Sequence, residues 1–233
     1  MASIALIGPD GAGKTTITRM LAESRLLPLK SIYMGIDISA SNVALPTSRL
    51  VERLRTHLAK KSAPAARRRR GSGTRTRPRG LRGSAWAAAR LANRLADEWY
   101  RQAASWWHQS RGFTVLYDRH FAFDFAPEVA GDQVEPFDRR LHRWCLDHLY
   151  PSPDLVIFLD APGEMLFARK GELTPSELER RRQAFLQVGR RMPSFIRVDA
   201  TRPLEDVYSE VAGHVLRTAG RTAPPTTAGE AAR

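Results

Sequence analysis

Gly8-Pro9-Asp10-Gly11-Ala12-Gly13-Lys14-Thr15-Thr16 is the stretch whose reading decides the fold. It fits the pattern G-x-x-x-x-G-K-[ST]. An apolar run, Ala2 to Ile7, precedes it, and the segment ITRMLAESRLL, with apolar positions at helical spacing, follows. A strand, a glycine loop and a helix in that order gather backbone N–H groups, a helix N-terminus and a lysine around one point, which suits a phosphate chain. The candidate binding residues are Gly8, Asp10, Gly11, Ala12, Gly13, Lys14, Thr15 and Thr16. Among them Lys14 is placed to reach the β and γ phosphates and the Thr15 hydroxyl to ligate Mg2+. A dinucleotide site fits poorly, because no ribose-binding acid stands out after the second strand.

Outward from this loop, Lys30 to Met34, Phe113 to Tyr117, Leu155 to Leu159 and Phe195 to Val198 read as strands. The helical patterns are Thr47 to Lys61, Trp86 to Gln109, Glu135 to Leu149, Gly163 to Lys170, Ser176 to Arg191 and Leu204 to Leu216. Strands alternating with helices predict a parallel sheet covered on both faces, joined by right-handed crossovers. Trp99, Trp106 and Trp107, with Leu91 and Leu95, predict either a core helix or a homodimer face. Residues 218–233 are small, polar and proline-containing, and read as a flexible tail after a domain at 1–217.

Two further clusters carry chemistry. In VLYDRH, Asp118 ends the third strand, where ligands of parallel sheets bind, and is a candidate for assisting magnesium, while Arg119 is a candidate for an acceptor phosphate. Phe121 and Phe123 either stack on an acceptor ring or line the core. In EMLFARKGELTPSELERRRQAF, cations flank a turn between two short helices. Such a lid, near 169–182, would close over phosphates and neutralise their charge, with Arg169, Arg180 and Arg181 as candidates.

Charge is unevenly distributed. Lys and Arg number 37 against 24 Asp and Glu, a formal net charge of +13. Ten of those cations lie between Lys60 and Arg82, where no acid occurs. That segment, within a basic insertion at 60–84, attracts phosphate of any source, but no aromatic residue interleaves its arginines to stack bases, so nucleic acid ranks below a small phosphate-bearing ligand. Cys145 is the only cysteine, which excludes an intrachain disulfide and a cysteine-rich metal site. MASIALIGPD lacks a basic leader and no apolar run approaches a membrane span, so a cytoplasmic protein without a membrane partner is the expectation.

Together GPDGAGKTT, YDRH, VIFLDAP with EMLFARK, the arginine-rich lid and IRVDATRPLEDV resemble the thymidylate kinase-like family of P-loop nucleoside monophosphate kinases, over about Ser3 to Leu216. The resemblance implies a three-layer α/β P-loop kinase fold with a five-stranded parallel sheet in the order 2-3-1-4-5. It implies ATP and Mg2+ as donor, and a nucleoside monophosphate or related small phosphate acceptor approached by Asp10 and held by Arg119. A lid arginine would serve catalysis, because the loop carries Ala12 and no arginine. The chain departs from the family after the second strand, where YMGIDIS offers only Asp37 as an acidic substitute in the acceptor pocket, and after the DR pair. Kinase action on a nucleoside or sugar-like metabolite, and a nucleotide-dependent regulatory ATPase, remain the alternatives.

Overall fold

The computed structural model describes residues 1–35, 41–49, 81–124, 137–171 and 173–222. Asp37, the basic run from Lys60 to Gly80 and residues 223–233 lie outside the described residues. The five strands are β1 (Ser3–Ile7), β2 (Leu29–Tyr33), β3 (Thr114–Asp118), β4 (Leu155–Asp160) and β5 (Phe195–Asp199). All pair in parallel, in the order β2-β3-β1-β4-β5. This is the three-layer α/β topology of P-loop kinases, with the order 2-3-1-4-5 expected from the sequence.

The strands read as continuous apolar runs because both sheet faces are covered. Ile4, Leu6, Leu116, Ile157, Leu159 and Val198 face one core, which α1 (Lys14–Glu23) joins with Ile17 and Leu21, and α8 (Leu204–Thr222) with Val207, Val211 and Val215. The alternate residues, Ala5, Ile7, Val115, Tyr117, Val156 and Phe158, face the other. Each of these larger side chains, removed from water, contributes roughly 1.5–3 kcal/mol. The register brings Ile7 level with Phe158, Tyr33 with Asp118, and Asp160 with Asp199. The carboxyl ends therefore form one edge, from which the loops carrying the chemistry emerge.

Helical boundaries differ from expectation in three places. A turn of helix at 46–49, α2, is the described part of the segment expected from Thr47. Helix α3 (Leu81–Ser110) starts directly after Gly80 rather than at Trp86, so 81–84 belong to it and not to the basic insertion. Helix α8 runs to Thr222, so 218–222 are not tail: Thr218 Oγ1 donates to the His214 carbonyl and the Met1 amino group to that of Thr222.

The face α3 buries is polar. Among its described side chains Asp97, Glu98, Arg101, Gln102 and Ser105 are the buried ones, whereas Trp99, Trp106 and Trp107 are exposed. The tryptophans therefore do not line the core as one reading of the sequence expected. Short α4 (Phe121–Asp124) follows β3, and α5 (Phe137–Leu149) packs on α3 through His142, whose Nε2 lies 2.9 Å from the Glu98 carboxylate. Among the described residues no helix is long and apolar enough to cross a membrane.

Candidate phosphate site at the carboxyl edge of the sheet

Residues 8–13 turn the chain from β1 into α1. Gly8 and Gly11 have φ of 154° and 88°, and a Cβ at either would come within 2.8 Å of the Leu159 carbonyl oxygen and 2.6 Å of the Leu166 one. Only glycine lets this loop pack so closely on β4 and on α6 (Gly163–Lys170). Gly13, in the left-handed region, is the N-cap of α1; no side chain caps that terminus, and no acid occurs in its first turn. The first N–H groups of α1 are thereby kept for an anion.

Lys14 opens α1 and is only 7% exposed. Its ammonium donates to the carbonyl oxygens of Gly8 and Pro9, both at 2.8 Å. Burial and the nearby Arg119 pull its pKa down to about 8, against the opposing pull of Asp10 and Asp118. Thr15 follows it on the exposed side of the first turn, while Ala12 is buried beneath the loop.

Asp10 collects the cations. Arg119 Nη2 donates to its Oδ1 at 3.0 Å, Arg181 Nη1 to its Oδ2 at 3.3 Å, and Lys170 Nζ lies 3.9 Å from Oδ1. Burial works to raise the pKa of Asp10, yet Lys14, Arg119, Lys170 and Arg181 together hold it below the ordinary carboxylate value. Four cations from four segments thus converge where two carboxylates, Asp10 and Asp118, stand. The excess positive charge suits phosphate oxygens.

Arg119 reaches this point by an unusual backbone. Its φ is +68°, a left-handed conformation that costs a non-glycine residue roughly 1–3 kcal/mol. The turn lets its N–H donate to the Leu6 carbonyl while the guanidinium reaches the glycine loop. His120, next in the chain, is buried, and burial alone pushes its pKa down to about 4, so the ring is neutral.

The segment expected to form a lid comprises α6, Gly171 at φ +67°, and α7 (Pro175–Gly189). Thr174 and Glu177 form a reciprocal capping box with Pro175 at the first helical position, which fixes where α7 starts. The candidate arginines separate. Arg181 joins Asp10, whereas Arg180 is exposed and Arg169 donates to the Ala200 carbonyl at 3.0 Å, beyond β5. Lys170, not among the sequence candidates, reaches Asp10 instead. Arg182 turns to the scaffold, donating to both oxygens of buried Asp160 at 2.5 and 3.0 Å and to Glu179 at 2.7 Å.

Phe121 and Phe123 are each 3% exposed and pack in the second core, Phe123 against Phe185 of α7. The structure does not bring them together with the cations around Asp10. A residue that sequence reasoning missed holds this region: Arg101, fully buried on α3, pairs with Asp97 and donates to the Gly35 carbonyl at 2.6 Å. Its guanidinium also lies 5.9 Å from the Phe121 ring centre. A Cβ on Gly35 would sit 3.0 Å from Arg119 Cδ, so Arg101 holds the backbone against which the Arg119 side chain lies. The sequence signal is the i, i+4 pair Asp97 and Arg101 on the helix face that should have been apolar.

No protein-family model matches this chain, and no curated protein matches it.

Proposed function

We propose that the chain transfers the terminal phosphoryl group of ATP to a small phosphate-bearing acceptor, a nucleoside monophosphate or related metabolite, as thymidylate kinase-like P-loop kinases do. The observation that carries this reading is the convergence of Lys14, Arg119, Lys170 and Arg181 on Asp10, beside the uncapped start of α1.

The glycine loop, with no room for a Cβ at Gly8 or Gly11, fits a closely approached phosphate chain. The oxygens of Thr15 and Asp118 fit Mg2+, which completes its shell with water and phosphate rather than with a protein cage. When bound, ATP·Mg2+ supplies the phosphoryl group and part of the neutralising charge.

Lys14 and the N–H groups of α1 bind and orient the donor phosphates. Arg119 holds the acceptor's anion, with Arg101 fixing the backbone against which it lies. Arg181 and Lys170, carried on the lid, neutralise charge that develops between donor and acceptor and exclude water as the lid closes. Asp10 orients these cations and stands next to the acceptor. Positioning and neutralisation account for such chemistry without a covalent enzyme intermediate.

Incubation with ATP, Mg2+ and a panel of nucleoside monophosphates, nucleosides and sugars, followed by product mass, tests the reading. A product heavier by one phosphoryl group is expected from a phosphorylated acceptor. Release of inorganic phosphate with no phosphorylated acceptor across the panel would replace the kinase by a regulatory ATPase.

A further inference from the structure

Asp97 and Arg101, one turn apart on α3, form an ion pair that is 2% and 1% exposed. Their remaining bonds go to main chain. Arg101 Nη1 donates to the carbonyl of Gly35, just past β2, at 2.6 Å, and lies 3.5 Å from that of Tyr33. On the carboxylate oxygen turned away from Arg101, Asp97 accepts the N–H of Leu45, just before α2, at 2.8 Å. One pair therefore fastens the chain at Gly35 and again at Leu45. Near the second point Asn42 lies along the outer edge of β2, accepting the Tyr33 N–H at 3.0 Å and donating to the Ser31 carbonyl at 2.7 Å.

Stability alone is a poor reason for such a pair. Desolvating two charges offsets much of their attraction, and an apolar pair of similar volume often serves a core as well or better. Arg101 adds to the cost, because its buried Nε has no hydrogen-bond acceptor among the described residues. What apolar side chains cannot do is fix two backbone groups in direction as well as distance. That direction leads to the site: a Cβ on Gly35 would fall 2.5 Å from the Tyr33 hydroxyl and 3.0 Å from Arg119 Cδ, so the Arg119 side chain rests on the main chain that Arg101 holds. Lys14, by contrast, is held by the Gly8 and Pro9 carbonyls of its own loop, and Lys170 and Arg181 stand on α6 and α7. The pair's contacts fall on the acceptor side.

We propose that Asp97 and Arg101 are positioning residues for the acceptor. By pinning Gly35 and Leu45 they set the backing of Arg119 and with it the affinity for the acceptor's anion; being buried, they touch no substrate themselves. This role rests on the phosphoryl-transfer reading and adds to it a separate control of acceptor binding.

The full chain is assayed with ATP, Mg2+ and the nucleoside monophosphate that gives most product by mass. The double variant Asp97→Leu, Arg101→Met fills the same space without charge, and its thermal midpoint should stay at or above the wild-type value. Its KM for the nucleoside monophosphate is expected to rise about tenfold or more, while kcat and the KM for ATP stay within about threefold. Gly35→Ala keeps the ion pair but crowds Arg119 directly, and should raise the same KM selectively. A folded double variant with the wild-type acceptor KM overturns the proposal. So does one in which kcat and both KM values move together, the mark of a general structural role. If the double variant does not fold, Arg101→Lys decides: it keeps the charge beside Asp97 but lacks the fork that also reaches Gly35, so a selective rise in acceptor KM upholds the role and an unchanged one overturns it. Wild-type protein that phosphorylates no acceptor removes the phosphoryl-transfer reading and this role with it, whereas product formation with an unmoved acceptor KM in the variants removes the role alone.

Discussion

Asp10 and Asp160 are both carboxylates clad in arginine at the carboxyl edge of one sheet, yet they are built for opposite ends. Asp160 is 2% exposed and ends β4; Arg182 clasps both its oxygens, and Arg197 of β5 adds a second contact. Asp10 lies in a glycine loop, and its partners come from the end of β3, the end of α6 and the middle of α7, at 3.0, 3.9 and 3.3 Å. The first cluster is a closed fork with its hydrogen bonds made. The second is looser, wetter and over-supplied with cations. Arg181 and Arg182, neighbours on α7 and so about 100° apart around its axis, are divided between the two.

The largest effect expected falls on the glycine loop. Lys14→Ala removes the ammonium that the donor phosphates need and lowers turnover by about a thousandfold or more. It is measured with the acceptor found by product mass, and near-normal turnover would remove the loop from the mechanism.

Arg182→Ala tests the scaffold side. It leaves buried Asp160 with Arg197 alone and costs about 3 kcal/mol of stability, seen as a lower thermal midpoint. A variant as stable as wild type would mean that Asp160 is not a structural anchor.

Arg181→Ala should do the reverse. A fall in kcat of ten- to a hundredfold, or about 1.4–2.8 kcal/mol, is expected with little change in thermal midpoint. If it instead lost stability and kept kcat, the division between neighbouring arginines would collapse.

The smallest effect is in pH. The ordinary lysine value is 10.5, and Lys14 titrates at about 8 in the fold. Between those values the unfolded chain holds a proton that the folded chain has released, so this group's contribution to stability rises with pH across that window and is flat below it. Phosphate needs the ammonium, so ATP affinity moves the other way, weakening above about pH 8 by at most about tenfold per unit. Calorimetric ATP titrations should show proton uptake above pH 8 and none near neutrality; a flat affinity would place the lysine outside the phosphate contact.

The legible parts of this molecule are those with local causes. The strand, glycine loop and helix at 3–23 declare themselves within one stretch, and VIFLD between two prolines is a strand by composition. Opaque parts depend on direction or on distant partners. RRR at 180–182 says nothing of which guanidinium faces Asp10, and the adjacent Arg169 and Lys170 go to Ala200 and Asp10 respectively. Arg101 finds Gly35, 66 residues away in sequence. The rings of Phe121 and Phe123 are claimed by the core through Tyr150 and Phe185, contacts that no alternation pattern encodes.

Arg119 sets fold against function within a single residue. At φ +68° its backbone favours glycine, while its guanidinium is what Asp10 holds. Arg119→Gly therefore relaxes the main chain as it deletes the cation, whereas Arg119→Ala deletes the cation and keeps the strain. Of two variants equally unable to hold an anion there, the glycine one should be the more stable. Stability alone would favour glycine here, so the arginine stands at a position where a weaker main chain is coupled to a working hand.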